Sequence, residues 1–264
     1  MTGLTGQQTG LAFRPHSGGR SPRADRAGFS MVELLVVLAV VVILTSFLMP
    51  AIGHVRENAN RIVCASNLRQ IGTAMVQFAG DNKDRLPFSD ALEPGGDGPL
   101  ELMASHRGET GEAWDGIGLL FEGGYCGHAG CFYCPSHHGT HTFDEYEDEW
   151  QFRLDAENAG TSVEGRIYTN YHYAGHLEWS GKRMPRLLSR MDSKDALSTD
   201  GLRSLADFNH IVGMNVLRGD GSVNWYESGQ RIRPLLPETD DEGELAVDPF
   251  EYDGLWQEVQ DFID

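Results

Sequence analysis

Ala27-Gly28-Phe29-Ser30-Met31-Val32-Glu33-Leu34-Leu35-Val36-Val37-Leu38 opens a long apolar segment and places one carboxylate at its start. From Leu34 to Met49 the only polar side chains are Thr45 and Ser46, so the segment has roughly the 20 apolar residues with which a helix spans a bilayer. Glu33 is unusual there, because an acid at membrane depth costs about 2.5 to 3.5 kcal/mol on insertion scales. Such acids usually have a partner and a function. The sequence therefore predicts a transmembrane helix over residues 29–50 in which Glu33 serves a purpose.

Residues 1–28 form a polar leader before this segment. They are rich in Gly, Ser, Thr and Arg, with four arginines against one aspartate and no apolar periodicity. This composition predicts a disordered leader, and its positive charge favours the cytoplasmic side of the membrane. A secretory signal would carry a small-residue cleavage site after its apolar core, but the core here is followed by Pro50-Ala51-Ile52-Gly53-His54. The unusual junction, Gly28-Phe29, precedes the core instead.

The run from Gly28 to Leu35 resembles the class III signal of type IV pilins and type II secretion pseudopilins. The resemblance implies that a prepilin peptidase cleaves after Gly28 and methylates the new N-terminus at Phe29. It also implies an assembly role for Glu33, whose carboxylate would meet the N-terminal amine of Phe29 in a neighbouring subunit. Such pairing offsets the cost of burying either charge alone within a bundle of helices. The alternative is an ordinary signal anchor with an incidental glutamate.

The helix is predicted to continue as an amphipathic segment over residues 51–80. Apolar side chains recur there at steps of three, four or seven, with an interruption near Cys64 to Leu68. Pro50 lies inside the rod, removes one helical hydrogen bond and should bend it. Pilin helices often carry a proline at this point, and the turn-rich run after Gly80 ends the helix. The apolar positions are Ile52, Val55, Ala59, Ile62, Val63, Ile71, Met75 and Phe78.

Residues 81–264 are expected to form one exported globular domain with an acidic C-terminal tail. Their clearest element is a hairpin, in which residues 214–217 and 222–226 flank Arg218-Gly219-Asp220-Gly221. A strand is predicted over 166–173, and short helical pieces are predicted over 100–105 and 114–121. In residues 140–165, apolar side chains show no clear helix or strand periodicity. The fold class is therefore α+β: a long N-terminal helix, half in the membrane and half amphipathic, packed on a small and mostly antiparallel sheet as in pilins.

His210 and Asp220-Gly221 form a second recognisable pattern. Nine residues separate them, as in the H-X9-DG segment near the end of a large group of pilin-like proteins that is expanded in planctomycetes. From the residues alone, Asp220-Gly221 is a tight turn that needs a positive φ. His210 is expected to be a core or turn-bracing hydrogen-bond partner rather than a ligand. The same group's pattern also resembles Cys64-Ala65-Ser66-Asn67-Leu68-Arg69-Gln70-Ile71-Gly72, Cys134-Pro135-Ser136 and Asn170-Tyr171.

Four cysteines, Cys64, Cys126, Cys131 and Cys134, leave a choice between disulfides and zinc. The last three occur with four histidines between residues 126 and 141, and Cys131-x-x-Cys134 has the spacing of a zinc knuckle or a redox pair. An exported domain lies in an oxidising compartment, however, where disulfides are favoured. We favour a bond from Cys64 to Cys134, which would staple the helix to the domain, and a local bond from Cys126 to Cys131. Zinc at Cys126, Cys131 and Cys134 is the alternative.

Composition bounds the partners and cofactors. The net charge is −18, and so acidic a surface repels nucleic acid. The tail from Glu238 onwards has no Lys or Arg, and Asp240-Asp241-Glu242 could hold calcium, although a solvated acidic surface explains this run better. Leu255, Val259 and Phe262 have helical spacing and predict a terminal helix that docks on the domain. No cofactor is otherwise expected.

No enzyme is predicted, because the sequence has no glycine-rich phosphate loop, no zinc-protease helix motif and no nucleophile elbow. The sequence instead predicts a structural subunit of an inner-membrane filament or a type II secretion-like apparatus, processed after Gly28. Its partners would be a prepilin peptidase, copies of itself or related pseudopilins, and the inner membrane, with the C-terminal domain on the periplasmic or extracellular side. The alternative is a monomeric membrane-tethered module that binds a ligand such as carbohydrate through Trp225 and Tyr226.

Overall fold

The computed structural model describes residues 28–92, 103–108, 113–175, 186–238 and 252–263. The chain divides into two compact units, Met1–Pro50 and Ala51–Asp264. The leader before Gly28, the run Asp240-Asp241-Glu242 and residues 100–102 lie outside the described residues. The helical piece expected over 100–105 is wrong in its second half, because a strand begins at Ala104. The structure has the α+β class that the sequence predicts, with one long N-terminal helix and small antiparallel sheets.

The described residues form helices, strands and short 3-10 turns with the following bounds. The helices are α1 (Met31–Asp81), α2 (Leu119–Glu122), α3 (Phe143–Asn158), α4 (Gly229–Ile232) and α5 (Tyr252–Ile263). The strands are β1 (Ala104–His106), β2 (Ile167–Tyr168), β3 (Tyr171–Tyr173), β4 (Ala196–Asp200), β5 (Met214–Arg218) and β6 (Val223–Tyr226). Short 3-10 turns lie at Asp90–Leu92, Gly116–Gly118, Ala129–Phe132, Leu188–Arg190 and Arg233–Leu235.

The first unit holds the apolar start of α1. Among the described residues, α1 is the one helix long and apolar enough to cross a membrane, and its most apolar stretch is fully exposed. Its two hydroxyl side chains are satisfied within the helix, since Thr45 donates to the carbonyl of Val41 at 2.9 Å and Ser46 to that of Ile43 at 2.7 Å. Internal satisfaction of polar groups is what a lipid environment requires. The bend expected at Pro50, within the bounds of α1, stays a prediction.

In the second unit, α1 supplies one wall of the core. Its fully buried side chains are Cys64, Leu68, Ile71 and Met75, so the buried face runs through the point where the sequence pattern was expected to break. The expected face was partly wrong, because Ile52, Val55, Ile62 and Val63 are all exposed. The error arose because apolar side chains occur on two faces of this part of the helix. The helix ends at Asp81, as predicted, and Lys83 and Asp84 adopt positive φ in the turn that follows.

A four-stranded antiparallel sheet in the order β3-β4-β5-β6 forms the centre of this unit, and β1 pairs with β2 in a separate ribbon. The predicted hairpin is confirmed as β5 and β6, with Met214 opposite Tyr226 and Leu217 opposite Val223. The strand expected over 166–173 is instead split between the ribbon and the sheet. Strand β4, which the sequence pattern did not reveal, pairs with both β3 and β5.

The two faces of the four-stranded sheet pack against different helices. Leu197 and Leu217 belong to the core cluster that contains the buried face of α1. Contact there is close, because a Cβ on Gly72 would lie 2.8 Å from Cδ1 of Leu217. The opposite face joins a second cluster with α5, which confirms the predicted docking of the terminal helix. That cluster includes Ala196, Met214, Val216, Leu255, Trp256, Val259 and Ile263.

Helix α3 lies in the stretch 140–165, for which no secondary structure was predicted. Its contact with the core comes from Phe143, Tyr146, Trp150 and Leu154, which recur at steps of three and four, and Trp150 is central to it. The Trp150 ring stacks on Phe132 with centroids 5.2 Å apart and lies 5.6 Å from Trp114. Its Nε1 donates to the hydroxyl of Tyr133 at 3.0 Å. Aromatic pairs of this kind stabilise beyond the area they bury, so Trp150 contributes strongly to the packing of a highly charged helix.

Two disulfides close loops of very different length. Cys64 of α1 is bonded to Cys134 across 70 residues, with Cα atoms 5.3 Å apart, whereas Cys126 and Cys131 are separated by only five. No cysteine among the described residues is free. The long bond joins α1 to the loop before α3, so it restricts the unfolded chain far more than the short bond does.

We expect the Cys64→Ala/Cys134→Ala variant to lose about 4 kcal/mol of unfolding free energy, against about 2 kcal/mol for Cys126→Ala/Cys131→Ala, from the loop lengths alone. Urea unfolding of the full-length protein in detergent, without reductant and followed by tryptophan fluorescence, measures both. Equal losses from the two variants would contradict the stapling role of the long bond.

His106 in β1 is buried in its neutral form. Its Nδ1 accepts hydrogen bonds from the amide of Gly108 at 3.1 Å and from Nη1 of Arg153 at 3.2 Å. Burial, aided by the charge of Arg153, lowers the pKa of His106 to about 4. Burial also lowers the pKa of His141 to about 4. In the unfolded chain these groups titrate near a pKa of about 6.5, so between these pH values the unfolded state binds more protons than the folded state.

Stability should therefore fall as the pH drops from about 6.5 to about 4 and be insensitive to these groups above that window. His106→Gln keeps a hydrogen-bond acceptor but removes the titration, so we expect the pH slope of unfolding free energy to decrease by about one proton. Urea unfolding at a series of pH values measures this slope. The same slope in variant and wild type would show that His106 titrates alike in both states.

Candidate functional site

The residues around the Gly28-Phe29 junction form the start of α1. Ser30 precedes the helix, and its hydroxyl accepts a hydrogen bond from the amide of Val32 at 3.3 Å. The Glu33 carboxylate reaches back and accepts from the amide of Ser30 at 2.9 Å. This reciprocal arrangement is a capping box, which satisfies free amides in the first turn of a helix. The Phe29 side chain is 84% exposed, so the junction is accessible.

In the isolated chain, Glu33 therefore has a local partner. Sequence reasoning assigned Glu33 to a neighbouring subunit and missed the cap, although the spacing Ser30-x-x-Glu33 is its ordinary signature. A carboxylate near the N-terminus of a helix is also favoured by the helix dipole. These two effects explain how the precursor tolerates an acid at the start of an apolar helix.

A second site lies in the second unit, Ala51–Asp264, where distant segments meet around the long disulfide. Cys64 is on the buried face of α1, Cys134 is in the loop before α3, Asp200 ends β4 and His210 precedes β5. With Glu57 of α1 they form what we call the His210 cluster. The side chains of Asp200 and His210 are completely buried. The cluster thus places two acids, one imidazole and a disulfide at one point in the core.

Glu57 orients the imidazole of His210. Oε1 of Glu57 lies 2.6 Å from Nδ1 of His210, and Oε2 accepts a hydrogen bond from the Ser136 hydroxyl at 2.7 Å. Partial burial acts to raise the pKa of Glu57, but the hydrogen bonds from Ser136 and His210 outweigh it and hold that pKa below its ordinary value. Glu57 is therefore an ionised acceptor, which fixes the ring and places a proton on Nδ1.

The other ring nitrogen of His210 faces the disulfide and Asp200. Nε2 lies 3.5 Å from Sγ of Cys134 and 3.8 Å from Oδ2 of Asp200. That Oδ2 accepts from the amide of Asn215 at 2.5 Å and from its Nδ2 at 3.2 Å. Burial raises the pKa of Asp200, because its charged form loses hydration. Among the described residues, Oδ1 of Asp200 has no partner in hydrogen-bond geometry, although the Asn209 side chain lies close enough to act against the rise in the pKa of Asp200.

Asparagine side chains tie the surrounding segments together. Asn67 of α1 donates to the carbonyl of Tyr133 at 2.9 Å, and Oδ1 of Asn170 accepts from the amide of Cys134 at 3.2 Å. Asn209 donates from Nδ2 to the carbonyl of Asn170 at 2.7 Å. The separate runs that resembled one protein group thus pack around one site. Sequence reasoning did not single out Glu57, Asp200 or Asn209, since no local pattern marks them.

The Asp220-Gly221 pair lies at the far end of β5 from His210. Gly221 has φ of +80°, as a tight turn requires, and its amide donates to the carbonyl of Arg218 at 2.8 Å. Oδ1 of Asp220 accepts from the amide of Ser222 at 2.8 Å, and hydrogen bonds from Ser222 hold the pKa of Asp220 below its ordinary value. The two ends of the H-X9-DG pattern thus have separate environments: His210 lies in the core and Asp220 in the hairpin turn.

The remaining predicted site residues have other surroundings. The three cysteines of the expected zinc set, Cys126, Cys131 and Cys134, are divided between the two disulfides. Trp225 is half-buried, with the guanidinium of Arg61 4.1 Å above its ring. Tyr226, also half-buried, packs edge-on against Phe262. Neither aromatic ring is the open platform that carbohydrate stacking would require.

The comparisons with known proteins bear on the N-terminus. A family described as the prokaryotic N-terminal methylation motif matches residues 23–49. No curated protein and no solved structure is similar enough to the chain to match it. The matched region spans the Gly28-Phe29 junction, Glu33 and the apolar part of α1.

The chain carries a prepilin-type N-terminal methylation motif at the start of its apolar helix. This motif supports a type IV pilin-like or pseudopilin-like exported protein. The motif implies processing by a prepilin peptidase and association with the membrane, and the apolar helix indicates a single-pass anchor.

Proposed function

We propose that the protein is a structural subunit of an inner-membrane filament or a type II secretion-like apparatus, cleaved after Gly28. The observation that carries this proposal is the methylation motif over residues 23–49 together with the accessible junction at Phe29. The exported unit would lie on the periplasmic or extracellular side, because the basic leader favours the cytoplasm. Its role would be assembly rather than catalysis, with neither nucleic acid nor a cofactor as a partner of the filament.

The capping box gives a mechanism for assembly. In the precursor, the Glu33 carboxylate is held by the neutral amide of Ser30. Cleavage after Gly28 would create a positively charged amine at Phe29, and hydrogen bonds between charged groups are roughly twice as strong as neutral ones. The amine of an adjacent subunit would therefore compete with the Ser30 amide for Glu33. An apolar environment strengthens the attraction, although it also raises the cost of burying each charge.

Exposed apolar side chains on the second half of α1 support helix packing between subunits. Ile52, Val55 and Ile62 are 60%, 68% and 70% exposed, although they lie on a helix whose other face is buried. An apolar surface of this kind commonly marks a contact with protein or membrane. We therefore expect the same helix to serve as a core wall within one subunit and as a contact surface between subunits.

A membrane-tethered binding module is the second candidate, and one observation favours it. A cavity of about 320 Å³ is lined by Arg186, Arg190, Asp195, Trp256 and Gln260, among others. This volume is at the lower limit of small-molecule pockets. The covered rings of Trp225 and Tyr226 do not support carbohydrate stacking as its basis, so among the described residues the cavity is the feature that favours this module.

N-terminal mass spectrometry of the protein purified from membranes tests the processing step. We expect the mature chain to begin with N-methylated Phe29 and Gly28→Val to retain the leader, because a side chain at the cleavage position obstructs the peptidase. A Cβ at Gly28 meets no atom within 4 Å, so this substitution leaves the fold intact. A wild-type chain that begins at another residue, or keeps its leader, would refute the proposal.

Substitution of Glu33 separates capping from assembly. Glu33→Gln keeps an oxygen that can accept from Ser30 but removes the charge, so we expect normal processing and at least tenfold less protein in the sheared filament fraction, about the effect of 1.4 kcal/mol. Ser30→Ala is the matched control, since it removes the hydroxyl half of the cap and leaves the carboxylate. If the filament yield falls equally in both variants, Glu33 acts only as a helix cap. If the yield of Glu33→Gln is unchanged, Glu33 does not pair with the amine of a neighbouring Phe29.

A further inference from the structure

The His210 cluster contains the ligand set of a metal site. One ligand atom from each of Cys64, Cys134, Asp200 and His210 lies within 4.8 Å of the other three, and all four residues are buried. We propose that the cluster has two alternative closed states: the disulfide when Cys64 and Cys134 are oxidised, and a mononuclear zinc site when they are reduced. This site differs from the set Cys126, Cys131 and Cys134 that the sequence suggested, and it does not depend on filament assembly.

The donor types and their spacing suit zinc. Structural zinc sites take four ligands in a tetrahedron, with Zn–S near 2.3 Å and Zn–N and Zn–O near 2.0 to 2.2 Å. Ligand atoms in such a tetrahedron lie about 3 to 4 Å from each other. Nε2 of His210 is already 3.5 Å from Sγ of Cys134 and 3.8 Å from Oδ2 of Asp200, and the four ligand atoms all lie within 4.8 Å of one another. The two sulfur atoms would have to move apart from their bonded distance. Two thiolates and an imidazole select zinc over magnesium or calcium.

Glu57 supplies the support that a metal-binding histidine requires. Histidine ligands usually donate their other ring N–H to a carboxylate, which fixes the tautomer and increases ligand basicity. Nδ1 of His210 lies 2.6 Å from Glu57, which leaves the Nε2 lone pair directed towards Cys134 and Asp200. Glu57 is in turn held by Ser136 at 2.7 Å. The residues that would support His210 as a metal ligand, Glu57 and Ser136, are therefore already in position in the oxidised protein.

Asp200 carries an independent sign that a ligand belongs here. Its side chain is completely buried, and Oδ1 has no hydrogen-bond partner among the described residues, whereas Oδ2 accepts twice from Asn215. Buried polar atoms nearly always have a hydrogen-bond partner, because an acceptor that loses its hydrogen bonds to water on burial is costly unless another donor replaces them. A cation held by His210, the two thiolates and one oxygen of Asp200 would offset the cost of burying this carboxylate.

The two states exclude each other chemically. Reduction by a phosphine consumes one water and yields two thiols and a phosphine oxide, and zinc binding then releases the two thiol protons. Oxidation by a disulfide donor removes two electrons from the thiolate pair, forms the S–S bond, reduces the donor to two thiols and expels the metal. In a newly made chain, before oxidation, zinc would therefore bind the same two cysteines and hold α1 to the loop before α3.

The test uses full-length protein in detergent with Cys126→Ala/Cys131→Ala as the background, so that Cys64 and Cys134 are the only thiols. After reduction with a phosphine, addition of Zn²⁺ and gel filtration, we expect one zinc per chain, and none after reoxidation. Co²⁺ in place of zinc should give the visible bands of a tetrahedral site and a sulfur-to-cobalt charge-transfer band. The proposal would be overturned if the reduced protein bound no more metal per chain than the oxidised protein. It would also be overturned if cobalt bound without sulfur coordination.

Variants assign the ligands. We expect His210→Ala to abolish stoichiometric binding and the matched control His128→Ala, at an exposed histidine, to retain it. Glu57→Gln leaves all four ligands in place and should weaken zinc binding 10- to 100-fold, the usual effect of a lost outer-shell partner. Circular dichroism checks the fold of each variant. If His210→Ala fails to fold, the Glu57→Gln affinity decides, and an affinity equal to the background would contradict the assignment.

Discussion

The covalent link between Cys64 and Cys134 is the constraint on which the exported unit depends. It attaches the buried face of α1 to the loop before α3 across 70 residues, and the partners of that loop extend to the central sheet through Asn170 and Asn209. Helix α1 is consequently more than an anchor that carries a domain. Its side chains from Cys64 to Met75 are part of the core, so separating the helix from the sheet would require both breaking the bond and exposing that face.

Burial of charge around this link needs compensation from several segments. Asp200 and His210 are wholly buried, and a buried ionised group costs several kcal/mol unless it is paired and hydrogen-bonded. Glu57 and Asn215 provide much of that compensation, but an oxygen of Asp200 stays without a partner among the described residues. An apolar core of the same volume would avoid this cost. A polar cluster beside the disulfide therefore does not follow from stability alone, and the proposed metal site would account for it.

The elements that could be predicted from the sequence are those encoded by residues close together in the chain. The membrane helix, the hairpin at Asp220-Gly221 and the helical spacing of Leu255 and Val259 each depend on residues within a few positions, and all three kinds of element are present. Helix α3 was missed although its core-facing residues Phe143, Tyr146, Trp150 and Leu154 have helical spacing, because mostly charged side chains fill the positions between them. The His210 cluster was missed for a stronger reason. Glu57, Cys134, Asp200 and His210 come from separate segments, and only the tertiary fold brings them within reach of one another.

The local cap on Glu33 alters the energetics of any assembly that uses this residue. A carboxylate without a partner would drive assembly by the full cost of its burial, whereas one already held by the Ser30 amide gains only the difference between two partners. Cleavage after Gly28 also creates a competitor, because the new amine of the same chain would be adjacent to Ser30. In the proposed filament, a neighbouring subunit would therefore have to place its amine with better geometry than the chain's own N-terminus can reach. The exposed apolar side chains of α1 would set that geometry, since helix packing fixes the axial offset between subunits before any charge pair can form.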